Sequence, residues 1–390
     1  MRLLHTSDWH LGRTLHGVDL LEHQSAYLDH LVELARTEEV AAVLVSGDVY
    51  DRAVPPVEAV TLLSETLVRL AECTTVVLTP GNHDSAARLG FGAGLMRDGV
   101  HVKARVAGIA TPVVIHDRDG ATLLVYALPY LDPDVVRGEL GGDDPDARPV
   151  ARSHEAVLGA AMARVREDLR RQGARTGTPS RSVVMAHAFV VGGEPSESER
   201  DIRVGGVDNA PVGVFAGVDY VALGHLHGPQ RVADGVRYSG SPLAYSFSEQ
   251  HHRKSTVLVD LSGGAAVRED LIPAPVPRRL ADLSGTLTEL LGAAGEAHRE
   301  DWLRVTVTDD SRPPEMYPRL KARFPHALVV QHRSPKVRDG AAVAVVSAAR
   351  HPLEVAGEFV EHVTGAPAST AEATVLRRAW EQVMAAGRSA

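Results

Sequence analysis

Five short motifs in this sequence combine aspartate, asparagine and histidine, whose oxygen and nitrogen atoms bind divalent metal ions. In chain order the motifs are Asp8-Trp9-His10, Gly47-Asp48-Val49-Tyr50-Asp51, Gly81-Asn82-His83-Asp84, the single His187, and Gly224-His225-Leu226-His227. The candidate ligands are Asp8, His10, Asp48, Asn82, His187, His225 and His227. Such a set is about what two divalent ions need while leaving positions for water and a substrate. The sequence therefore predicts a dinuclear metal centre.

Each motif is ambiguous when it is taken alone. The Asp8-x-His10 spacing arises often by chance, and the dipeptide Gly47-Asp48 is typical of an ordinary turn. A single histidine such as His187 is more often packed in a core than bound to a metal. The prediction therefore depends on the succession, because each of the five motifs follows a predicted buried strand.

The elements that must position these residues are the strands of an α/β fold. The run from Ala41 to Ser46 is apolar and ends at Gly47, which is typical of a strand buried on both faces. Open α/β sheets bind their ligands at the carboxyl ends of such strands, so Asp48 could be shared between two ions there. Apolar positions at helical spacing predict helices over Glu22 to Arg36 and Val57 to Ala71 that cover the sheet.

In this order, the motifs resemble those of the calcineurin-like metallophosphoesterase superfamily. More narrowly, the segments His5 to Arg13, Gly47 to Asp51 and Tyr238 to Leu243 resemble the SbcD family of bacterial nuclease subunits, counterparts of the Mre-type repair nucleases of archaea and eukaryotes. The resemblance is strong over the phosphoesterase part and covers the rest of the chain by layout only. It implies a two-sheet α/β sandwich, followed by a small C-terminal α/β cap domain and terminal helices.

The resemblance also implies how the ligands are divided. One ion would be held by Asp8, His10, Asp48 and His227, and the other by Asp48, Asn82, His187 and His225. The family's usual metal is manganese, which this set of ligands permits. We expect two divalent ions, with Mn²⁺ as the metal.

We expect His83 and Asp84 to be the catalytic residues. His83 would lie next to the scissile phosphate, where it stabilises the transition state or protonates the leaving oxygen, and Asp84 would orient the His83 imidazole. The Mre-type proteins carry a histidine where this chain has Asp51, so a second catalytic histidine is not assigned here.

By the same resemblance, the substrate would be DNA, cut as a double-strand exonuclease and as a single-strand and hairpin endonuclease in repair and recombination. The partner would be an SbcC-type coiled-coil ATPase held by the C-terminal helices. A homodimer would form through helices near Val57 to Ala71 and Ala86 to Met96, within a heterotetramer. One alternative keeps the metal core but gives it a non-DNA phosphodiester or phosphomonoester, such as a cyclic nucleotide or a phosphoprotein. A second alternative is a non-enzymatic scaffold for the ATPase.

Length, net charge and cysteine content limit the domain organisation and the functions that the chain can have. The 390 residues predict a nuclease domain over residues 1–275, a cap domain over 279–350 and helices over 351–390, with a stiff linker at Pro273, Pro275 and Pro277. A net charge of −9 argues against simple electrostatic binding of nucleic acid, unless several acids are metal ligands. Because Cys73 is the one cysteine, an intrachain disulfide and a cysteine-based zinc site are excluded. We expect a cytoplasmic protein with no membrane span.

Overall fold

The computed structural model describes residues 1–96, 99–117, 120–142, 148–176, 180–200, 209–262, 266–335, 352–364 and 366–386. These residues form two compact units, Met1–Arg333 and Ser334–Ala390. The boundary that we predict between residues 350 and 351 lies outside the described residues. The predicted domain limits therefore stay predictions.

Two six-stranded sheets form the body of the first unit. From edge to edge, the first sheet contains β14 (Arg268–Pro273), β13 (Ser255–Asp260), β1 (Arg2–Thr6), β4 (Ala42–Ser46), β5 (Thr75–Thr79) and β6 (Val100–Val102). The second contains β11 (Gln230–Ala233), β12 (Val236–Tyr238), β10 (Tyr220–Gly224), β9 (Arg181–His187), β8 (Thr122–Ala127) and β7 (Val113–His116). The hairpin β2 (Thr14–Leu15) and β3 (Val18–Asp19) follows the first strand. The central strands of each sheet run parallel, so their carboxyl ends lie at one edge.

The layers follow from alternating side chains within single strands. In β4, Ala42 and Leu44 belong to the core between the two sheets, whereas Val43 and Val45 belong to the core under the helices. The helices α1 (Leu21–Thr37), α2 (Val57–Ala71) and α3 (Ala86–Leu89) belong to the first sheet's outer side, and α4 (Pro133–Leu140) and α5 (His154–Thr176) to the second's. The predicted two-sheet α/β sandwich is confirmed.

A smaller sheet follows, as the layout predicts. The parallel strands β15 (Leu280–Gly285), β16 (Trp302–Val307) and β17 (Ala327–His332) pack with the helices α6 (Leu287–Leu291) and α7 (Met316–Arg323). Its buried Leu280 and Trp302 also join a cluster with Tyr245 and Phe247 of the large body. This small α/β sheet therefore shares apolar contacts with the large body of the same unit.

The second unit contains α8 (Pro352–Thr364) and α9 (Thr370–Ala386), within the range 351–390 for which the sequence predicts C-terminal helices. No helix in the described part of the chain is both long enough and apolar enough to cross a membrane.

The predicted helix from Ala86 to Met96 is wrong in its length. It ends at Leu89, and the chain continues in turns through three closely spaced glycines. Gly92 has a φ of +74°, a left-handed backbone conformation that an α-helix does not use. Glycine is also the weakest helix former apart from proline, which explains why the helix does not continue.

Candidate metal centre

All five motifs lie where strands of the two large sheets end. The first three follow β1, β4 and β5 of one sheet, and the last two follow β9 and β10 of the other. The two sheets are tied together at this point, because Ser46 Oγ donates a hydrogen bond to the carbonyl of Ala222 at 2.9 Å. His187 Nδ1 lies 3.0 Å from the Ser46 carbonyl. Loops from both sheets therefore converge on one place.

The Asp48 carboxylate lies between imidazoles of different motifs. Its Oδ2 atom is 3.6 Å from His10 Nε2 and 3.4 Å from His187 Nε2. The same His10 Nε2 atom lies 3.1 Å from His227 Nε2. A carboxylate oxygen with an imidazole nitrogen on either side has the geometry of a ligand shared between two ions.

Asn82 and Asp8 connect the remaining predicted metal ligands to these imidazoles. Asn82 Oδ1 is 2.8 Å from His187 Nε2 and 3.2 Å from His225 Nδ1. Both carboxylate oxygens of Asp8 accept the backbone N–H of His225 at 3.1 Å, and Asp8 also lies within one cluster with His10 and His227. The structure thus brings all seven predicted ligands together in one cluster.

The backbone around the centre is strained. Asp8, His10, Asp48 and His225 all have positive φ values, of 54°, 45°, 48° and 108°. Residues with a Cβ rarely adopt this region, and such residues concentrate at functional sites because the surrounding fold must enforce them. Gly47, with a φ of +87°, is needed for a second reason, since a Cβ there would overlap the His187 imidazole.

The charges of the centre are strongly perturbed. Burial raises the pKa of Asp8 to about 6. Burial would also raise the pKa of Asp48, but the adjacent His187 holds it well below its usual range. Burial acts in the opposite sense on His187, yet the Asp48 carboxylate prevails and raises the pKa of His187 to about 9. Burial therefore disfavours the ionised form of both carboxylates. A nearby positive charge stabilises that form, and metal cations can supply such a charge.

The residues fit divalent metal ions. The described residues offer three overlapping groups of metal-binding side chains, which are Asp8 with His10 and His227, Asp8 with Asp48 and His187, and His10 with Asp48 and His83. The opposed Nε2 atoms of His10 and His227 cannot both be hydrogen-bond donors to each other, but both can direct lone pairs at one cation. Oxygen and imidazole ligands without thiolates suit manganese, iron or zinc.

His83 and Asp84 lie beside the predicted ligands, but their expected relationship is wrong. His83 is 8% exposed, and its Nδ1 donates to the carbonyl of Asp51 at 2.7 Å. The Asp84 carboxylate instead accepts backbone N–H groups of Val49, Tyr50 and Gly81 at 2.9 to 3.0 Å. The backbone of Asp51 therefore orients the imidazole, while Asp84 joins the loops after β4 and β5. A carboxylate accepts several N–H bonds readily, and these three are the donors in reach.

Sequence reasoning missed a group of residues behind the ligands. Ser198 and Glu249 lie next to His227, and Ser7 Oγ, which donates to Asp8, is 2.7 Å from Ser239 Oγ. The segment containing Ser239 carries part of the family resemblance, but the sequence assigns this serine no role. No local pattern marks Ser198 or Glu249, because each is an ordinary polar residue in a loop.

Most of the chain is similar to known proteins. Residues 1–229 match a model of the calcineurin-like phosphoesterase family, and residues 276–364 match a model described as the type 5 capsule protein repressor C-terminal domain, SbcD_C. The SbcD subunit of the SbcCD nuclease from Rhodobacter capsulatus is 37% identical over 343 residues, which cover 83% of this chain and 81% of that protein. The protein of the same name from Bacillus subtilis is 34% identical over 365 residues, covering 89% and 90%.

Among solved structures, one from a thermophilic bacterium is similar to part of this chain. The crystal structure of TT1561 from Thermus thermophilus is 13% identical and has a TM-score of 0.37. The match covers 69% of this chain and 98% of that one.

Proposed function

Because the chain belongs to the SbcD family of nuclease subunits within the calcineurin-like phosphoesterases, we propose that it hydrolyses DNA phosphodiester bonds as the nuclease subunit of an SbcCD-type complex. The chain is a metal-dependent nuclease by its family. The main structural support for the proposed reaction is the position of Asp48 Oδ2 between His10 Nε2 and His187 Nε2. The activities we propose are double-strand exonuclease and single-strand or hairpin endonuclease, used in DNA repair and recombination in the cytoplasm.

Two divalent ions, which we propose are Mn²⁺, would be held by the seven clustered side chains. Asp8, His10, Asp48 and His227 would hold one ion, and Asp48, Asn82, His187 and His225 the other. The distances of 3.1 to 3.6 Å from His10 to His227 and to Asp48 support the first set. The distances of 2.8 to 3.4 Å among Asn82, His187, His225 and Asp48 support the second.

When bound, such a pair of ions activates a water for attack on phosphorus and neutralises charge on the phosphate oxygens. The chain itself would orient the substrate beside them. His83 has its Nδ1 proton held by the Asp51 carbonyl, so its Nε2 atom is the one left to face a phosphate. There it would stabilise the developing charge or, when protonated on Nε2, donate a proton to the leaving oxygen.

An exposed arginine also lies at the centre. Arg200 Nη1 donates to the backbone carbonyl of Asn82 at 3.2 Å, which holds the guanidinium beside a proposed ligand. Arginine binds phosphate through planar, paired N–H groups. We infer that Arg200 contacts the DNA backbone next to the cut bond, which gives a chain of net charge −9 a local positive contact with a polyanion.

The test compares Mn²⁺-dependent hydrolysis of linear duplex DNA with that of bis(p-nitrophenyl) phosphate, with and without the ATPase partner. We expect both substrates to be cut, and the duplex to be cut faster when the ATPase is present. Hydrolysis of the small diester without any cutting of DNA, in the presence of the partner, would contradict the proposed substrate. Failure to hydrolyse either substrate with metal bound would contradict the proposed chemistry.

The partner surface that we propose is formed by α8 and α9. Phe359 of α8 and Val375 of α9 are each 66% exposed, an unusual environment for apolar side chains of this size. Helices of this length are marginal on their own and gain stability from packing. A coiled-coil ATPase would supply the apolar surface that these side chains lack.

A homodimer is proposed through α2 and the turns after α3. Val57 and Val68 of α2 and Phe91 after α3 are exposed, and Phe91 is 85% exposed. We expect Phe91→Glu to shift the protein from dimer to monomer in light scattering after gel filtration. Val135→Glu is the matched control, because Val135 is 76% exposed and belongs to α4, which packs on the second sheet rather than on the sheet that carries α2. A dimer that survives Phe91→Glu would contradict this interface.

A further inference from the structure

A buried ion pair lies behind the candidate metal centre and takes no part in the proposed ligand set. The Glu249 carboxylate accepts from the Lys254 ammonium, and their side chains are 0% and 2% exposed. Lys254 Nζ also donates to the His227 carbonyl at 2.9 Å and to Ser241 Oγ at 2.8 Å, so all three of its protons have acceptors. A buried ion pair is a poor source of stability, which favours a positional role for it.

Ser198 connects this pair to the imidazole of His227. Its Oγ lies 2.6 Å from Glu249 Oε1 and 2.7 Å from His227 Nδ1. Glu249 Oε1 also accepts the backbone N–H of Tyr245 at 3.0 Å and lies 3.5 Å from His227 Nδ1. The three side chains therefore form a compact triangle in which the Ser198 hydroxyl makes the two short contacts.

The order of protons among these groups follows from which of them can donate. A carboxylate paired with an ammonium only accepts and is the stronger acceptor, so the single hydroxyl proton of Ser198 is directed at Glu249 rather than at the neutral Ser196 hydroxyl, 2.9 Å away. The Ser198 oxygen then accepts from His227, which places the ring proton on Nδ1. The opposite order would put a serine lone pair against the carboxylate at 2.6 Å, which is repulsive. With the proton on Nδ1, the lone pair of His227 lies on Nε2, the atom 3.1 Å from His10 Nε2.

We propose that Glu249 is a positioning residue, which acts through Ser198 to hold His227 in the tautomer whose Nε2 atom is free to bind a metal ion. This inference rests on the proposed function, because it assigns His227 to the metal centre. The rest of His227 is held as well, since its backbone N–H donates to Glu199 Oε1 at 2.8 Å. Groups that fix a metal-binding histidine through its other nitrogen change metal affinity by about 10- to 100-fold when they are lost.

The tautomer of a second histidine in the centre, His187, is fixed in a simpler way. His187 Nδ1 is held by the backbone carbonyl of Ser46 at 3.0 Å. A carbonyl only accepts, so it needs no further group to define the tautomer. A serine can either donate or accept, and for this reason Ser198 requires Glu249 to give it a direction.

The experiment uses the full-length protein with Ser198→Ala, Ser198→Thr and Glu249→Gln. We expect Mn²⁺ affinity, measured by calorimetry, to fall about 10- to 100-fold in Ser198→Ala and Glu249→Gln and to be largely kept in Ser198→Thr, which retains the hydroxyl. Ser248→Ala is the matched control. It removes a hydroxyl that accepts the Glu197 N–H and donates to Ser246 Oγ, and in the described structure this hydroxyl is not hydrogen-bonded to the Glu249 carboxylate or to His227.

A second readout follows the tautomer in metal-free protein. Two-dimensional NMR of ¹⁵N-histidine distinguishes a ring protonated on Nδ1 from one protonated on Nε2, and the His227 signal is assigned by its loss in His227→Gln. We expect the Nδ1-protonated form in the wild type and a mixture in Ser198→Ala. Ser198→Ala leaves the ion pair intact, so it remains informative if Glu249→Gln does not fold.

Wild-type Mn²⁺ affinity with an unchanged tautomer in Ser198→Ala would overturn the proposal. Neither measurement uses DNA cleavage. If the wild type shows the expected tautomer and metal affinity but does not cut DNA, then the proposed function fails and the positioning role of Glu249 stands.

Discussion

The metal centre and the pair of C-terminal helices are built in opposite ways. In the centre, contacts join residues far apart in sequence, as between His10 and His227, which are separated by 217 positions. In α9, the hydrogen bonds are local. Ser369 Oγ exchanges bonds with Glu372 at the start of the helix, and Thr374 Oγ1 donates to the carbonyl of Thr370.

This difference indicates that the chemistry of the protein depends on the centre and its association with partners on the helices. The buried loops of the centre adopt left-handed backbone conformations that only a surrounding folded core can enforce. The backbone of the helices is defined by local hydrogen bonds in ordinary helical conformations, and the helices leave Phe359 and Val375 exposed. We therefore expect substitutions in the centre to change chemistry, and substitutions on the helices to change association.

The largest effect is expected for Asp48→Asn. The substitution removes the charge of the oxygen that lies between His10 and His187, so both proposed metal sites are weakened together. Nuclease activity should fall by at least about 10³-fold, and metal content measured by mass spectrometry should fall with it. Binding of the ATPase partner should not change. A variant that keeps full metal content and activity would show that Asp48 is not shared.

The next largest effect is expected for His83→Ala. We expect DNA cutting to fall by about 10²- to 10⁴-fold while the metal content stays near that of the wild type, because His83 would act on the phosphate. The measurements are duplex cleavage and metal analysis of the same preparation. Loss of metal as well would mean that His83 is itself a ligand, which its place in a cluster with His10 and Asp48 would allow.

A matched pair of glycine substitutions compares the two regions directly. Gly47→Ala places a Cβ at a φ of +87° and against the His187 ring. We therefore expect the free energy of unfolding to fall by about 2 kcal/mol or more, with a lower Tm. Gly357→Ala lies within α8, where a new Cβ meets nothing within 4 Å, and should stabilise the helix by up to about 1 kcal/mol. Amide hydrogen exchange in α8 measures the second effect. If both substitutions changed stability in the same direction, the proposed difference between the metal centre and the C-terminal helices would be wrong.

The smallest effect is expected on the helices. The double variant Phe359→Glu and Val375→Glu should weaken binding to the ATPase by about tenfold or more, because it places charge on the exposed apolar positions. Hydrolysis of bis(p-nitrophenyl) phosphate by the chain alone should match the wild type. Glu361→Ala, at an exposed position of α8, is the control. Unchanged ATPase binding in the double variant would move the partner surface elsewhere.

The strands and the candidate ligands at their ends could be predicted because they depend on local patterns. The apolar run of β4 alternates between two cores, as its composition indicated, and it delivers Asp48 at its carboxyl end. The role of Asp84 could not be predicted in this way. Its carboxylate binds the backbone of Val49 and Tyr50, and no pattern near Asp84 indicates which loop will lie against it.

By itself, the sequence determined which donor atoms are present, which strands carry them to a sheet edge, and to which family the chain belongs. Only the tertiary structure decided that Asp48 Oδ2 lies between two imidazoles, and that Glu249 reaches His227 through Ser198. The physical reason is the separation in sequence over which each effect acts. Periodicity and turn residues act over a few neighbours, whereas a metal centre depends on atoms brought within hydrogen-bond distance by the packing of two sheets and by loops held in strained conformations.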